Sequence, residues 1–270
     1  MKYMHEIKKH LSILFIFLKY SLQTEMQYRF NFFMGIILDV LFFFTKIIYA
    51  LIVYKTDVII NGLNPDAILL FIGTYTIVQG LFTLLFLVNF NYTLPDSVRE
   101  GTLDIYMTKP ISLQFVVSTM HIEISTMVPD LIGGIILVII ACDRLDLDLT
   151  LHQILIYLFL IMVGLIIAYA FFFLIQLLSF FFINVRAISD VSGEIFSLNN
   201  LPMTVYNKII RFVGIYILPI FLITNYAPMY LLRQLTIWQF LWFVFIAILL
   251  LILSRCAWTS VIKKYTSASS

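Results

Sequence analysis

Long apolar runs set the pattern of this chain, and polar residues are gathered into a few intervals between them. Phe30–Tyr54, Ala67–Phe90, Leu113–Ala141, Ile154–Ile183 and Trp238–Trp258 are each about 20 residues or longer. That is the length at which a helix rising 1.5 Å per residue crosses roughly 30 Å of hydrocarbon. Ile209–Thr224 is also apolar, but it is shorter and is interrupted by Pro219. The pattern predicts an all-α membrane protein with six spans in one domain, residues 30–260. The loops are too short to hold a second folded unit. Pro129 should kink the third run, because proline removes a helical hydrogen bond.

Met1–Arg29 places Lys2, Lys8, Lys9, Lys19 and Arg29 around the apolar Leu11–Leu18. Eight apolar residues are too few to span, so an amphipathic helix lying in the interface is expected, against the plainer reading of a basic tail. Residues 261–270 form a short polar tail with Lys263 and Lys264. Trp238, Trp242 and Trp258 are candidate interface aromatics.

The most distinctive interval is Pro95–Ser112, PDSVREGTLDIYMTKPIS. It mixes Asp96, Arg99, Glu100, Asp104 and Lys109 around Gly101, with a proline near each end. Proline suits a helix start and resists its continuation, so one short helix between Pro95 and Pro110 is predicted. Lipid cannot satisfy such a run, so it belongs in water or against protein. A second polar interval, Asn184–Asn207, carries Arg186, Asp190 and Glu194.

Composition agrees with the spans. The chain is 62% hydrophobic and 12% charged, where soluble domains have about 45–50% and about 25%. No secretory leader is evident, because Lys19 follows the only short apolar run and no small-residue cleavage site comes after it. Charge orients the spans. Thirteen Lys and Arg fall on the side holding both termini and the two long polar intervals, whereas Lys55, Arg144 and Arg233 fall on the other. The positive-inside rule places both termini in the cytoplasm of a multi-pass protein.

Asp39, Lys46, Glu123 and Asp130 are charged residues within apolar runs. Asp39 and Lys46 stand seven residues apart in the first, about 10.5 Å along a helix and nearly on one face. Glu123 and Asp130 repeat that spacing in the third. Such groups are costly in lipid and should face protein or a water-filled cavity. Two readings stand for the first pair: a polar seam at a partner or along a substrate path, or a structural pair satisfied by other helices. Glu123 is expected near a solvated boundary, and Asp130 stays open.

Other chemistry is thin. His5, His10, His121 and His152 are scattered, with no metal-ligand spacing to Cys or acidic residues. Cys142 and Cys256 fall near opposite ends of their spans, too far apart for a disulfide. No G-x-x-x-x-G-K-[ST] loop is present, so this chain is not expected to bind nucleotide or to be an enzyme.

The stretch VREGTLDIYMTKPIS resembles the cytoplasmic coupling region of ABC-2-type transporter permeases. Those carry (K/R)-E-G-T-L-(D/E) and then (K/R)-P-(I/V)-S between their second and third spans. Arg99, Glu100, Gly101, Thr102, Leu103 and Asp104 match the first part; Lys109, Pro110, Ile111 and Ser112 match the second. With six spans in order, the resemblance covers nearly the whole chain. It implies a non-catalytic permease of the cell membrane, an exporter whose Arg99–Lys109 region is a coupling helix docking on a cytoplasmic ABC ATPase. Two ATPase copies, carrying ATP and Mg, and a second related permease forming a heterodimer are implied as partners. The resemblance also implies the interfacial helix before the first span. It adds an outer re-entrant reading for PIFLITNYAPMYLL, which periodicity does not separate from a proline-broken span. Lipid, peptide, drug and polysaccharide exporters share this architecture.

Two other classes fit the spans. A secondary transporter would use Asp39, Lys46, Glu123 and Asp130 as coupling-ion ligands near the midplane. A membrane scaffold or immunity-type protein would need none of them. Neither calls for a proline-bounded polar helix, and the spans show no internal repeat. The bilayer is a partner in every reading, and nucleic acid in none.

Overall fold

The computed structural model describes residues 2–56, 63–182 and 185–265, which fold into helices joined by short turns. Asp57, Asn61 and Gly62 of the first connection, Asn184, and residues 266–270 of the tail lie outside the described residues.

The N-terminal segment is a single helix, α1 (Lys2–Gln27), and Tyr28 separates it from α2 (Arg29–Thr56). α2 forms the first span at the edge of the bundle, with only 6% of its apolar stretch buried. One face of it packs on the second and third spans, and the rest is left for lipid or another chain. The second span begins as α3 (Pro65–Phe82), where the Asn64 side chain accepts the Ala67 N–H at 2.9 Å and proline occupies the first turn.

This span does not end at Phe90 as the sequence suggests. Two π-helical turns, Thr83–Leu87 and Asn89–Thr93, carry it into α4 (Leu94–Glu100), so the helical path runs for 36 residues. Gly101, in the left-handed region at φ 73°, then stops it. A second short helix, α5 (Leu103–Met107), follows. The expected single helix between Pro95 and Pro110 is thus two helices around a glycine. Pro95 does not break the path because it sits in the first turn of α4, just after a wide π turn.

The third run is also not one kinked helix. α6 (Leu113–Thr119) and α7 (Ile124–Arg144) are separated at residues 120–123, ahead of Pro129, which lies inside α7. The fourth span, α8 (Leu151–Gln176), starts on a Thr150/Gln153 capping box and closes in the 3-10 turn Leu177–Phe180.

The second polar interval is a climb rather than a loop. α9 (Val185–Ser197) begins beside the loop end of α3, where the Ser189 hydroxyl donates to the Asn91 carbonyl at 3.2 Å. Its last turn reaches Phe82 and Tyr75, and Asn200 and Leu201 share a cavity with Ile72. From Asn91 back to Ile72 is about 28 Å of helix. The physical reason is the apolar face that Ile195 and Phe196 give an otherwise polar segment. α10 (Lys208–Phe212) continues as a π-helical stretch to Ile217 and meets α11 (Leu222–Leu231) at 104°. Together these pieces return the chain to the far end, where α12 (Ile237–Lys264) starts on a second capping box, Thr236/Gln239. Among the described residues, five helices are long and apolar enough to span, or six if the bent α10–α11 pair counts as one crossing.

α3, α7, α8 and α11 enclose the core. At the α3–α7 crossing, a Cβ on Gly73 would fall 2.9 Å from the Val138 nitrogen, and one on Gly134 would fall 2.9 Å from the Gly73 carbonyl oxygen. Only glycine admits this approach, the small-residue packing common between membrane helices. Trp238 is exposed, but Trp258 is buried against Phe173 and Phe180, so it is a core residue and not an interface aromatic. α1, the 94–112 loop and the end of α12 share one end of the bundle. Lys9 Nζ donates to the Pro110 carbonyl, Arg255 Nη1 to Gln114 Oε1 at 3.0 Å, and Tyr265 packs on Phe180.

Candidate functional site

The α4–α5 loop is held from below and open above. Leu94 and Leu103 are fully buried and pin the two short helices to the bundle. Between them, the positive φ of Gly101 reverses the chain, a conformation costly for residues with a Cβ. Past α5, Lys109 N–H reaches the Tyr106 carbonyl at 3.1 Å, and the Thr108 hydroxyl the Ile105 carbonyl at 2.8 Å.

The predicted coupling residues therefore divide. Arg99, Glu100, Lys109 and Pro110 are exposed; Gly101, Thr102 and Asp104 are half-buried; Leu103 is an anchor that presents no surface. Arg99 lies 3.4 Å from Asp96 and 3.5 Å from Glu100, with all three side chains more than half exposed. Water screens such pairs, so they organise a charged surface without adding much stability. Ile105 and Met107 stand exposed beside them, and charge-centred motif reading missed both. The signal was present as apolar residues in a run that otherwise lacks a reason to be apolar.

The intramembrane charges form a different arrangement. Lys46 of α2 pairs with Asp130 of α7, Nζ to Oδ1 at 2.8 Å, and also donates to Gln79 Oε1 of α3 at 3.1 Å. The Tyr75 ring lies 5.4 Å from the ammonium. Lys46 does not draw its compensation from Asp39, whose Oδ2 is buried without a hydrogen-bond partner. Gly80 backs the pair, since a Cβ there would come 3.0 Å from the Asp130 Cβ. Lys46, Tyr49, Tyr75, Gln79 and Asn200 line a cavity of about 350 Å³ between α2, α3 and the turn after α9.

Glu123 does not join the Lys46–Asp130 pair. It stands at the interruption before α7, and its N–H donates to the Leu84 carbonyl at 3.1 Å. Three side chains repair the remaining backbone there. Asn89, fully buried in a π turn, accepts the His121 N–H at 2.9 Å and donates to its carbonyl at 2.6 Å. Ser21 Oγ accepts the Ile122 N–H at 3.1 Å. The Glu25 carboxylate takes the Ile124 and Ser125 N–H groups at 2.9 and 3.1 Å. Burial pushes the Glu25 carboxyl above its ordinary range, and these two N–H groups oppose that shift. Burial also holds the His121 imidazole below its usual value while Thr93 bonds Nδ1 at 2.8 Å. α1 thus lies along α6 from Lys9 to Glu25 and caps α7. Sequence gave Asn89 away as a polar residue in an apolar run, whereas nothing local marks Ser21 or Glu25.

An edge span with a half-buried cation, a two-helix charged loop at the end holding α1 and the end of α12, and at least five helices long and apolar enough to cross a membrane describe a multi-pass membrane protein. Residues 40–269 match the ABC-2 family transporter protein model, and the chain belongs to that family. No curated protein and no solved structure matches it.

Proposed function

We propose that this chain is the membrane subunit of an ATP-driven exporter, with a cytoplasmic ABC ATPase docking on the surface formed by Arg99, Glu100, Ile105, Met107 and Lys109. One observation carries the reading: exposed apolar side chains ringed by charges, on a turn pinned by Leu94 and Leu103 and joined to two spans. Depleted charge at the centre and polarity at the rim are what a protein interface presents. A push on α4 is transmitted directly to α3, and a push on α5 to α6.

Charge supports a cytoplasmic position for this end. Lys208 and Arg211 follow the climb of α9, and moving both to the far side still leaves eleven basic residues against five. α1 then lies in the cytoplasmic interface, with Leu11, Phe15 and Ile16 turned outward. Nucleotide and Mg belong to the ATPase, present in two copies, and this chain is non-catalytic. The bare face of α2 and the cavity beside Lys46 are where a second permease would complete the path. The bent α10–α11 pair is its outer re-entrant element. The Lys46–Asp130 pair favours this reading over a secondary transporter that would use both residues as coupling-ion ligands.

The test uses the tagged chain purified from its native membrane. Glu100→Ala and Gly101→Val should insert normally but fail to retain the co-purifying ATPase and to drive ATP-dependent transport in liposomes. Wild-type capture and transport in both variants would reduce the loop to a connector.

A further inference from the structure

A cavity of about 530 Å³ opens between α6, α8, α12 and the π-helical end of the second span, at the loop end of the bundle. Its walls change character along their length. On α8, Met162 and Leu165 precede Tyr169; on α12, Leu251 precedes Arg255. Both helices run toward the loop end, so the apolar half lies deeper by about 6–10 Å and the polar half forms the mouth.

The mouth is built rather than incidental. Arg255 Nη1 donates to Gln114 Oε1 at 3.0 Å, Gln114 Nε2 donates to Tyr169 Oη at 3.1 Å, and Ser118 Oγ lies 3.4 Å from that same oxygen. Gln114 and Ser118 are buried. No Asp or Glu lines the cavity, and none of the described ion pairs includes Arg255. A guanidinium has five N–H donors, and the bond to Gln114 uses one of them.

We propose that this cavity binds an anionic membrane lipid, its phosphate on Arg255 and one acyl chain between Leu165, Met162 and Leu251. Charge complementarity chooses the occupant. A cation fixed by a buried amide at the mouth of an apolar slot selects a negative headgroup with a tail, and basic pockets between spans take such lipids. The size falls within the roughly 300–1,000 Å³ of ligand cavities that are mostly apolar with a few placed polar groups. The proposal needs only the membrane-spanning fold, so it stands or falls apart from ATPase docking.

The test uses the delipidated, detergent-solubilised full chain. Phosphatidylglycerol should raise the melting temperature, whereas phosphatidylcholine with the same chains and glycerol phosphate without chains should not. Arg255→Gln should weaken the phosphatidylglycerol response about tenfold, the loss of one charge-assisted partner, and Lys263→Gln should leave it intact. A photoreactive group on the acyl chain of phosphatidylglycerol, used on the unmutated protein, should label the 162–169 and 251–255 segments. Equal shifts with both lipids, protection by glycerol phosphate alone, an unchanged response in Arg255→Gln, or labelling confined to other segments would each overturn the site.

Discussion

Two charged regions of this molecule use the same residue types to opposite ends. On the α4–α5 loop, Arg99 lies among Asp96 and Glu100 with every side chain in water. In the bundle, Lys46 meets Asp130 with side-chain exposures of 15% and 4%, on helices that approach through glycine. The loop's charges are replaceable as far as folding goes, because water satisfies whichever is left. The interior charges are not, because removing one strands the other in a low-dielectric setting. A charge that folding can spare, on a surface pinned by two buried leucines, is available for recognition. A charge that folding cannot spare is first of all architecture.

The sharpest way to break this contrast is Asp130→Leu. It strands Lys46, and breaking a buried pair costs about 3–5 kcal/mol. The variant should lose most of its folded yield in detergent, and Lys46→Met added to it should recover much of the loss. Asp39→Leu should be neutral or slightly stabilising, since it removes a carboxylate oxygen that has no partner. Thermal melts of the four proteins decide the matter. A larger loss in Asp39→Leu than in Asp130→Leu would return the pairing to the first span.

Gly134→Ala comes next and probes the close approach behind the pair. The added Cβ would sit 2.9 Å from both the Gly73 carbonyl oxygen and the Ile77 nitrogen. Backbone has to move, and overpacking of this kind costs about 1–3 kcal/mol. A melting temperature equal to that of the wild type would mean that α3 and α7 separate freely, and that the pair is not held by its surroundings.

Why Lys46 found Asp130 was not legible in the sequence is a matter of distance along the chain. The pair joins residues 84 positions apart, and hydropathy reports that each is misplaced in lipid without saying which helices face one another. The spans themselves were legible, because bilayer thickness converts directly into residue count. The two prolines mark less than the breaks around them. Pro95 does begin a helix, but π turns keep that helix continuous with the second span, and the third run breaks ahead of Pro129, where Asn89, Ser21 and Glu25 pair its backbone. The climb of α9 leaves little trace in the polar interval Asn184–Asn207, because its polar residues outnumber the few apolar ones that seat it. On the loop, only the fold separates Leu103, the anchor, from Ile105, the surface.

The third prediction tests that repaired break. Asn89→Ala leaves the His121 N–H and carbonyl without their side-chain partner in a buried turn, at about 1–3 kcal/mol. Glu25→Ala removes the cap of α7 from a different helix, at about 0.5–2 kcal/mol. Both should lower the melting temperature and speed amide exchange at residues 120–126. Unchanged exchange there in both variants would mean that the interruption holds itself together.

The smallest expected effect on folding is also the one that speaks most directly to function. Arg99→Ala removes both loop ion pairs at once, yet exposed pairs contribute about 1 kcal/mol or less. For a chain of this size that is a melting shift of no more than about 2–4 °C. Ile105→Ser should be equally mild, because its side chain is 59% exposed and packs on little. If the loop only connects two helices, these changes should also be silent in every other assay. If it is a docking surface, each should cut ATPase retention severalfold while the melt stays put, and Leu103→Ser, which attacks the anchor instead, should lower both together. A variant set in which retention falls only when stability falls would erase the distinction between the two regions, and would leave the loop's charges as nothing more than a solvated turn.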